Sequence, residues 1–143
     1  EVEIDPETGE VELARITSVD DIGRIINHMI VEGQIHGGIA QGVGQALLEG
    51  AVYDPESGQL LSGSLMDYGL PRAAQFPPLD STFDESVPCS TNLLGVKGCG
   101  ELGTIGSEPA VVNAVLDAIA ERGITPPEMP LSEEKAPRAL RGA

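Results

Sequence analysis

The chain has 143 residues, 41% of them hydrophobic, enough for one domain with a core and too few for two. Aromatic residues make up 3% and Trp is absent, so the core has to be built from Val, Ile, Leu and Ala. A net charge of −15 with only 8 Lys and Arg argues against nucleic acid or an anionic membrane surface as partner, and no apolar run approaches the ~18 residues of a membrane span.

The chain opens on Glu1-Val2-Glu3-Ile4, alternating like a strand already under way, with no initiator Met and no signal peptide; the expectation is a piece of a longer protein. Residues 1–4 and 11–19 alternate apolar and polar, the mark of half-buried strands. Between them Asp5-Pro6-Glu7-Thr8-Gly9 has Pro placed for a type I turn and Gly for the left-handed residue after it, which predicts a hairpin. The same turn chemistry recurs at Asp54-Pro55-Glu56-Ser57-Gly58, between Ala51-Val52-Tyr53 and Gln59-Leu60-Leu61-Ser62. The flanks of the two hairpins do not match, so no repeat is implied.

Residues 29–49 have the period of a helix, with Ile35, Ile39, Val43 and Leu47 on one face and Gln34, Gln41 and Gln45 on another. Gly33, Gly37, Gly38, Gly42 and Gly44 oppose it; at roughly 0.8–1 kcal/mol each they cost about 4 kcal/mol. Either the first half is loop and the helix begins near Gly38, or the glycines admit close approach by another backbone or a ligand. Residues 62–94 are rich in loops, with a strand expected near 79–84. Pro109 is expected to open a second, mostly buried helix, capped by Ser107 or Glu108 and ended by Arg122 and Gly123. Asn113, Asp117 and Glu121 form its polar stripe. From about residue 126 the composition suits a surface tail.

Cys89 and Cys99 form no CxxC and have no second pair to complete a zinc or iron–sulfur site. They are either disulfide-linked or, as a reducing compartment favours, free. Ten of the 18 glycines fall in two windows, 33–44 and 95–106. The second contains a formal G-x-G-x-x-G, Gly98-Cys99-Gly100-Glu101-Leu102-Gly103. A dinucleotide fingerprint needs a strand before it and a helix opening at its end. Asn92-Leu93-Leu94-Gly95-Val96-Lys97 is a poor strand and the helix is expected only at Pro109, so that reading is disfavoured. What remains is a glycine-rich loop presenting Lys97 and Glu101, a carboxylate that can serve as a base.

Three longer segments carry more information together: Gly33-Gln34-Ile35-His36-Gly37-Gly38-Ile39-Ala40-Gln41-Gly42-Val43-Gly44-Gln45, Gly95-Val96-Lys97-Gly98-Cys99-Gly100-Glu101-Leu102-Gly103-Thr104-Ile105-Gly106 and Pro109-Ala110-Val111-Val112-Asn113-Ala114. With Asp20-Asp21-Ile22-Gly23-Arg24-Ile25-Ile26-Asn27 and Ser64-Leu65-Met66-Asp67-Tyr68-Gly69-Leu70-Pro71-Arg72 between them, they resemble the C-terminal part of the molybdenum-binding large subunit of the xanthine dehydrogenase, aldehyde oxidoreductase and carbon monoxide dehydrogenase family. The resemblance runs over roughly residues 1–135.

The resemblance implies a fragment of a molybdenum-cofactor-binding domain, α+β in class, with mixed β-hairpins and two main helices. Residues 1–143 then form a single domain or fragment of an oxidoreductase that hydroxylates an aldehyde, an N-heterocycle or a similar substrate, or oxidises CO, with oxygen from water. Glu101 matches the catalytic glutamate beside molybdenum, which takes the proton of the attacking hydroxyl. Gln41 matches the glutamine that hydrogen-bonds the pterin, while Gly37, Gly38, Gly42 and Gly100 let backbone approach it. Lys97 is assigned to orienting Glu101 or to the cofactor. No protein ligand to the metal is implied: His36 is expected to be structural, Cys99 space-filling, and Asp20 and Asp21 turn and cap residues.

The implied cofactor is molybdenum–molybdopterin in its cytosine dinucleotide form, with iron–sulfur clusters and FAD on partner subunits. The partners are the rest of the large subunit, the iron–sulfur and FAD subunits, and a second copy of the chain; the location is the cytoplasm. Alone, the chain is expected to be inactive. The rival expectation is a stand-alone remnant that binds partner subunits without molybdenum, and under either reading a core cut open should expose apolar side chains. Two departures from the family pattern, His28 where proline is usual and Pro137 in the tail, bear on local structure only.

Overall fold

A computed structural model of the chain describes residues 1–122, 128–132 and 135. Strand β1 (Val2–Ile4) pairs antiparallel with β2 (Val11–Leu13), joining Val2 to Leu13 and Ile4 to Val11 on the inner face. The turn between them is closed by Asp5, whose carboxylate accepts the amides of Glu7 at 2.7 Å and Thr8 at 3.2 Å, with Gly9 at φ 77°. That conformation is open to glycine at no steric cost. The strand expected over 11–19 is in fact two: the ladder ends at Ala14 and Arg15, whose amides both donate to the Glu1 carbonyl, and β3 (Ile16–Asp21) leaves for a different sheet.

That sheet is parallel. Strand β4 (Leu79–Asp84) lies beside β3 in register from Ile16↔Leu79 to Asp21↔Asp84, with Ile16, Ser18 and Asp20 facing Leu79, Ser81 and Phe83 on the half-buried side. Parallel strands need a long crossover, and helix α1 (His28–Leu47) starts it. Asn27 caps α1, its side chain accepting the Ile30 amide at 3.1 Å. His28 is the first helical residue, a position where proline is readily accommodated because the amide has no helical partner. The second turn motif repeats the first: Asp54 accepts from Ser57, and Tyr53 bridges Leu60 in a minimal hairpin.

Helix α2 (Leu102–Ile119) begins seven residues before the expected start and contains Pro109 in its interior. A proline inside a helix loses one backbone bond and crowds the carbonyl four residues back. Here that carbonyl belongs to exposed Ile105, so water can satisfy it. Ser107, expected as a cap, is instead buried and donates to the Ile39 carbonyl at 3.3 Å. The helix is less buried than expected: Gly103, Ser107, Val111, Val115 and Ile119 form a single buried stripe, opposite the exposed Asn113, Asp117 and Glu121. It tightens into a 3₁₀ turn at Ala120–Arg122; Gly123 lies outside the described residues.

The core is the α1 stripe Val31, Ile35, Ile39, Val43, Ala46 and Leu47, closed by Val111 and Val115 from α2, with Leu13, Ile22 and Leu131. Leu131 is 2% exposed and its amide donates to the Ala46 carbonyl at 2.7 Å, so the described part of the expected surface tail anchors in the core. The rest of that tail, Pro137 included, lies outside the described residues. Many large apolar side chains face outward, among them Ile26, Met29, Leu65, Met66 and Leu93. Among the described residues no helix is long and apolar enough to cross a membrane.

Candidate functional site

The glycine-laden α1 is helical throughout, and its contacts show what offsets the helix cost. A Cβ on Gly38 would lie 3.0 Å from the Thr104 amide nitrogen and 3.1 Å from Gly103 Cα; one on Gly42 would meet the Ser107 hydroxyl and lie 2.8 Å from the Thr104 carbonyl. From the other side, a Cβ on Gly103 would meet the Ile35 carbonyl and lie 2.7 Å from the Ile39 amide nitrogen. Gly38 and Gly42 are therefore filled by the backbone of α2, and what approaches them is protein. Gly100 lies against Gln34, Gly103 against Gly38, and Ser107 against Gly42, so the two helices run side by side in one direction.

This packing seats the first turn of α2 on the middle of α1. Glu101 is the residue before α2; it is exposed, makes no side-chain cap, and its carboxylate has no partner among the described residues. The amides of Leu102, Gly103 and Thr104 likewise have no acceptor among the described residues, as expected of a helix start. They and the helix dipole favour an anionic or strongly accepting group there.

Thr104 links the two glycine windows. Its hydroxyl reaches the Gly38 carbonyl at 3.1 Å and Gln41 Oε1 at 3.4 Å. A hydroxyl has one proton, and the shorter bond takes most of it. The exposed Gln41 carboxamide is left without a strong partner. Gly37, on the exposed side of α1, would place a Cβ in open space, and one on Gly100 would meet only Gln34 Oε1, at 3.8 Å.

Lys97 is placed elsewhere. Its ammonium lies 2.6 Å from Asp21 Oδ2, which directs it toward the end of β3. Asp21 also accepts the Gly23 amide at 3.0 Å. The Lys97 ammonium, first, and that amide hold the Asp21 carboxyl below its ordinary value. The structure thus gathers Glu101, Gln41, Gly38, Gly42 and Gly100 around the start of α2, and leaves Gly37 facing open space on α1 and Lys97 on the stem of the loop.

Two residues at this junction are not among those expected from sequence. Gln34 precedes Gln41 by two helical turns on one face, a periodicity visible in the chain; Thr104 carries no local signal. His36 Nε2 is buried with no hydrogen-bond partner among the described residues. Among the described residues no three His, Cys, Asp or Glu are grouped to hold a metal ion, and both cysteines are free. Gly98-Cys99-Gly100-Glu101-Leu102-Gly103 does open a helix, contrary to expectation, but only Val96 before it makes a strand-like bridge, to Gly23.

A free carboxylate, a weakly held carboxamide, free amides and bare glycine backbone suit a polar cofactor that needs both donors and acceptors. Comparison with known proteins points the same way. Residues 1–77 match the molybdopterin cofactor-binding domain. The chain belongs to that family.

The chain is 44% identical over 141 residues to the nicotine 6-hydroxylase large subunit of Paenarthrobacter nicotinovorans, covering 99% of the chain and 17% of the relative. It is 39% identical over 141 residues to the carbon monoxide dehydrogenase large chain of Hydrogenophaga pseudoflava, covering 98% and 17%. The crystal structure of quinoline 2-oxidoreductase from Pseudomonas putida 86 superposes with a TM-score of 0.92 at 41% identity, over 98% of this chain and 18% of that one. The resemblance to molybdenum-hydroxylase large subunits and the mixed α and β class are borne out. The chain spans less than a fifth of the length of these relatives.

Proposed function

We propose that this domain forms part of the catalytic subunit of a molybdenum hydroxylase, with Glu101 as its base. The observation that supports this most is the exposed Glu101 carboxylate at the start of α2, without a partner among the described residues, one turn before the Thr104 that reaches Gln41. The molybdenum–pterin group, when bound, supplies activation of water and acceptance of an electron pair. The chain supplies the proton acceptor: Glu101 receives the proton as the nucleophilic oxygen forms its bond to the electrophilic carbon. Gln41 and the amides of residues 102–104 orient the pterin, and Gly37 and Gly100 let its ring system reach the main chain. Gly38 and Gly42 act one step back, by letting α2 settle on α1. Lys97 acts through the loop that carries Glu101.

The same reading extends to a cytosine dinucleotide cofactor, to iron–sulfur and FAD subunits that remove electrons, and to a reducing cytoplasm. The substrate is an aldehyde, an N-heterocycle or CO, selected mostly by residues beyond this chain. The isolated chain is inactive, because it holds only one wall of the active site.

The test is co-expression with the remaining large-subunit sequence and the partner subunits, followed by molybdenum and pterin analysis. Glu101→Gln should keep the metal and lose about 10²–10⁴-fold in kcat, the usual share of a general base. Full turnover in Glu101→Gln would overturn the assignment. No metal in the assembled complex would leave the non-catalytic module as the better reading.

A further inference from the structure

The loop that delivers Glu101 has a fastened stem and a bare tip. At the stem, the Lys97 amide donates to the Ile22 carbonyl at 2.9 Å and the Arg24 amide to the Gly95 carbonyl at 2.9 Å. The Asn92 side chain clamps Val96 from the other side, donating to its carbonyl at 3.0 Å and accepting its amide at 3.2 Å. Gly23, at φ 62°, is pressed against this stem; a Cβ there would meet the Gly95 carbonyl and lie 3.1 Å from Lys97 Cγ. At the tip, a side chain on Gly98 would meet nothing within 4 Å. Beyond Gly98 the chain is held again where Cys99 and Leu102 pack against the core and Gly103 meets α1.

Asp21 joins the two halves of the stem, with one carboxylate oxygen on the Gly23 amide and the other on the Lys97 ammonium. It lies at the end of β3, where the parallel register places it opposite Asp84. An ionised bidentate acceptor at this point fixes both the backbone turn at Gly23 and the side chain of Lys97. Glu101 follows Lys97 by four residues, three of which include two glycines with no side chain to hold them, so the stem sets where those residues start.

We infer that Asp21 is a positioning residue for Glu101, acting through Lys97 and making no contact with cofactor or substrate. This rests on the proposed role of Glu101. Reaction geometry is sensitive to displacements of about an ångström, and with Gly98 and Gly100 carrying no side chain between the stem and α2, the stem sets the path by which the chain reaches Glu101.

The test uses the complete large subunit in its assembled complex. Asp21→Asn keeps an acceptor for the Gly23 amide and removes the charge pair; Lys97→Gln removes it from the other side, and Lys97→Arg restores it. Amide hydrogen exchange over residues 95–104 should quicken in Asp21→Asn and Lys97→Gln and return to the parent rate in Lys97→Arg. In the same two variants kcat should fall between about tenfold and a hundredfold with KM and molybdenum content unchanged.

Unchanged exchange and kcat in both charge-removing variants would overturn the proposal. So would loss of molybdenum in proportion to kcat, which would make the pair a cofactor contact. Quickened exchange with full turnover in Glu101→Gln would leave the stem in place and sink only the assignment of the base.

Discussion

Asp21, Asp5, Asp54 and Asp84 each accept hydrogen bonds in the folded chain, and each carboxyl is held below its ordinary value of 3.8. For Asp21 the first cause is the Lys97 ammonium; for Asp5 it is the Glu7 amide, for Asp54 the Ser57 hydroxyl, and for Asp84 the Ser86 side chain. The folded state therefore favours the ionised form of each. Their contribution to stability is complete above pH 3.8 and is lost as pH falls below it through the folded values. Acid unfolding followed by circular dichroism should begin below that pH, and Asp21→Asn should show a shallower loss there; an identical acid limb would refute the link. The turns at Asp5 and Asp54 were legible in sequence, since an Asx turn is closed by residues two and three positions on. The Asp21–Lys97 pair was not, because its members are 76 positions apart and only the folded topology brings them together.

At the level of elements, α1 and α2 show local propensity overridden by contact. Five glycines in α1, and Gly103, Gly106 and Pro109 in α2, argue against helix at every window, and the helices persist because their backbones interlock. This divides the glycines into two kinds with opposite predicted behaviour. Gly33→Ala meets nothing within 4 Å and should stabilise the chain by up to about 1 kcal/mol. Gly103→Ala drives a methyl into the α1 backbone and should cost about 1–3 kcal/mol, the usual penalty of overpacking. Urea midpoints would check both, and a stable Gly103→Ala would mean that the helices are free to part. Sequence periodicity identified the α1 core stripe Ile35, Ile39, Val43 and Leu47 correctly. It misplaced the start of α2, because Pro109 fits a first helical turn as well as a tolerated interior site on an exposed face.

For the molecule as a whole, a charge of −15 on 143 residues opposes compaction, and few cations are present to offset it. Raising sodium chloride from about 10 mM to about 150 mM shortens the Debye length from roughly 30 Å to roughly 8 Å, so the melting temperature should rise. A fall would show that ion pairs such as Asp21–Lys97 outweigh the general repulsion. Family membership was legible because long ordered motifs survive in the chain. The parallel pairing of β3 with β4 was not, because no local pattern tells a strand which distant segment it will join.

That pairing governs how the chain can fold in time. Every β3–β4 partner is separated by 63 positions, as Ser18 is from Ser81, and the α1–α2 contacts span a similar interval, 66 positions from Gly38 to Thr104. Both depend on the same excursion of chain returning to its start, so neither can reward the other before a large loop has closed. Topologies of this kind fold in milliseconds to seconds, where helical bundles with local contacts take microseconds to milliseconds. Stopped-flow refolding should show one dominant slow phase, and Ser81→Ala, which removes a cross-strand hydroxyl partner, should alter its rate more than Gly33→Ala does if strand closure belongs to the barrier. A microsecond phase carrying most of the amplitude would mean that the excursion is already closed in the unfolded chain.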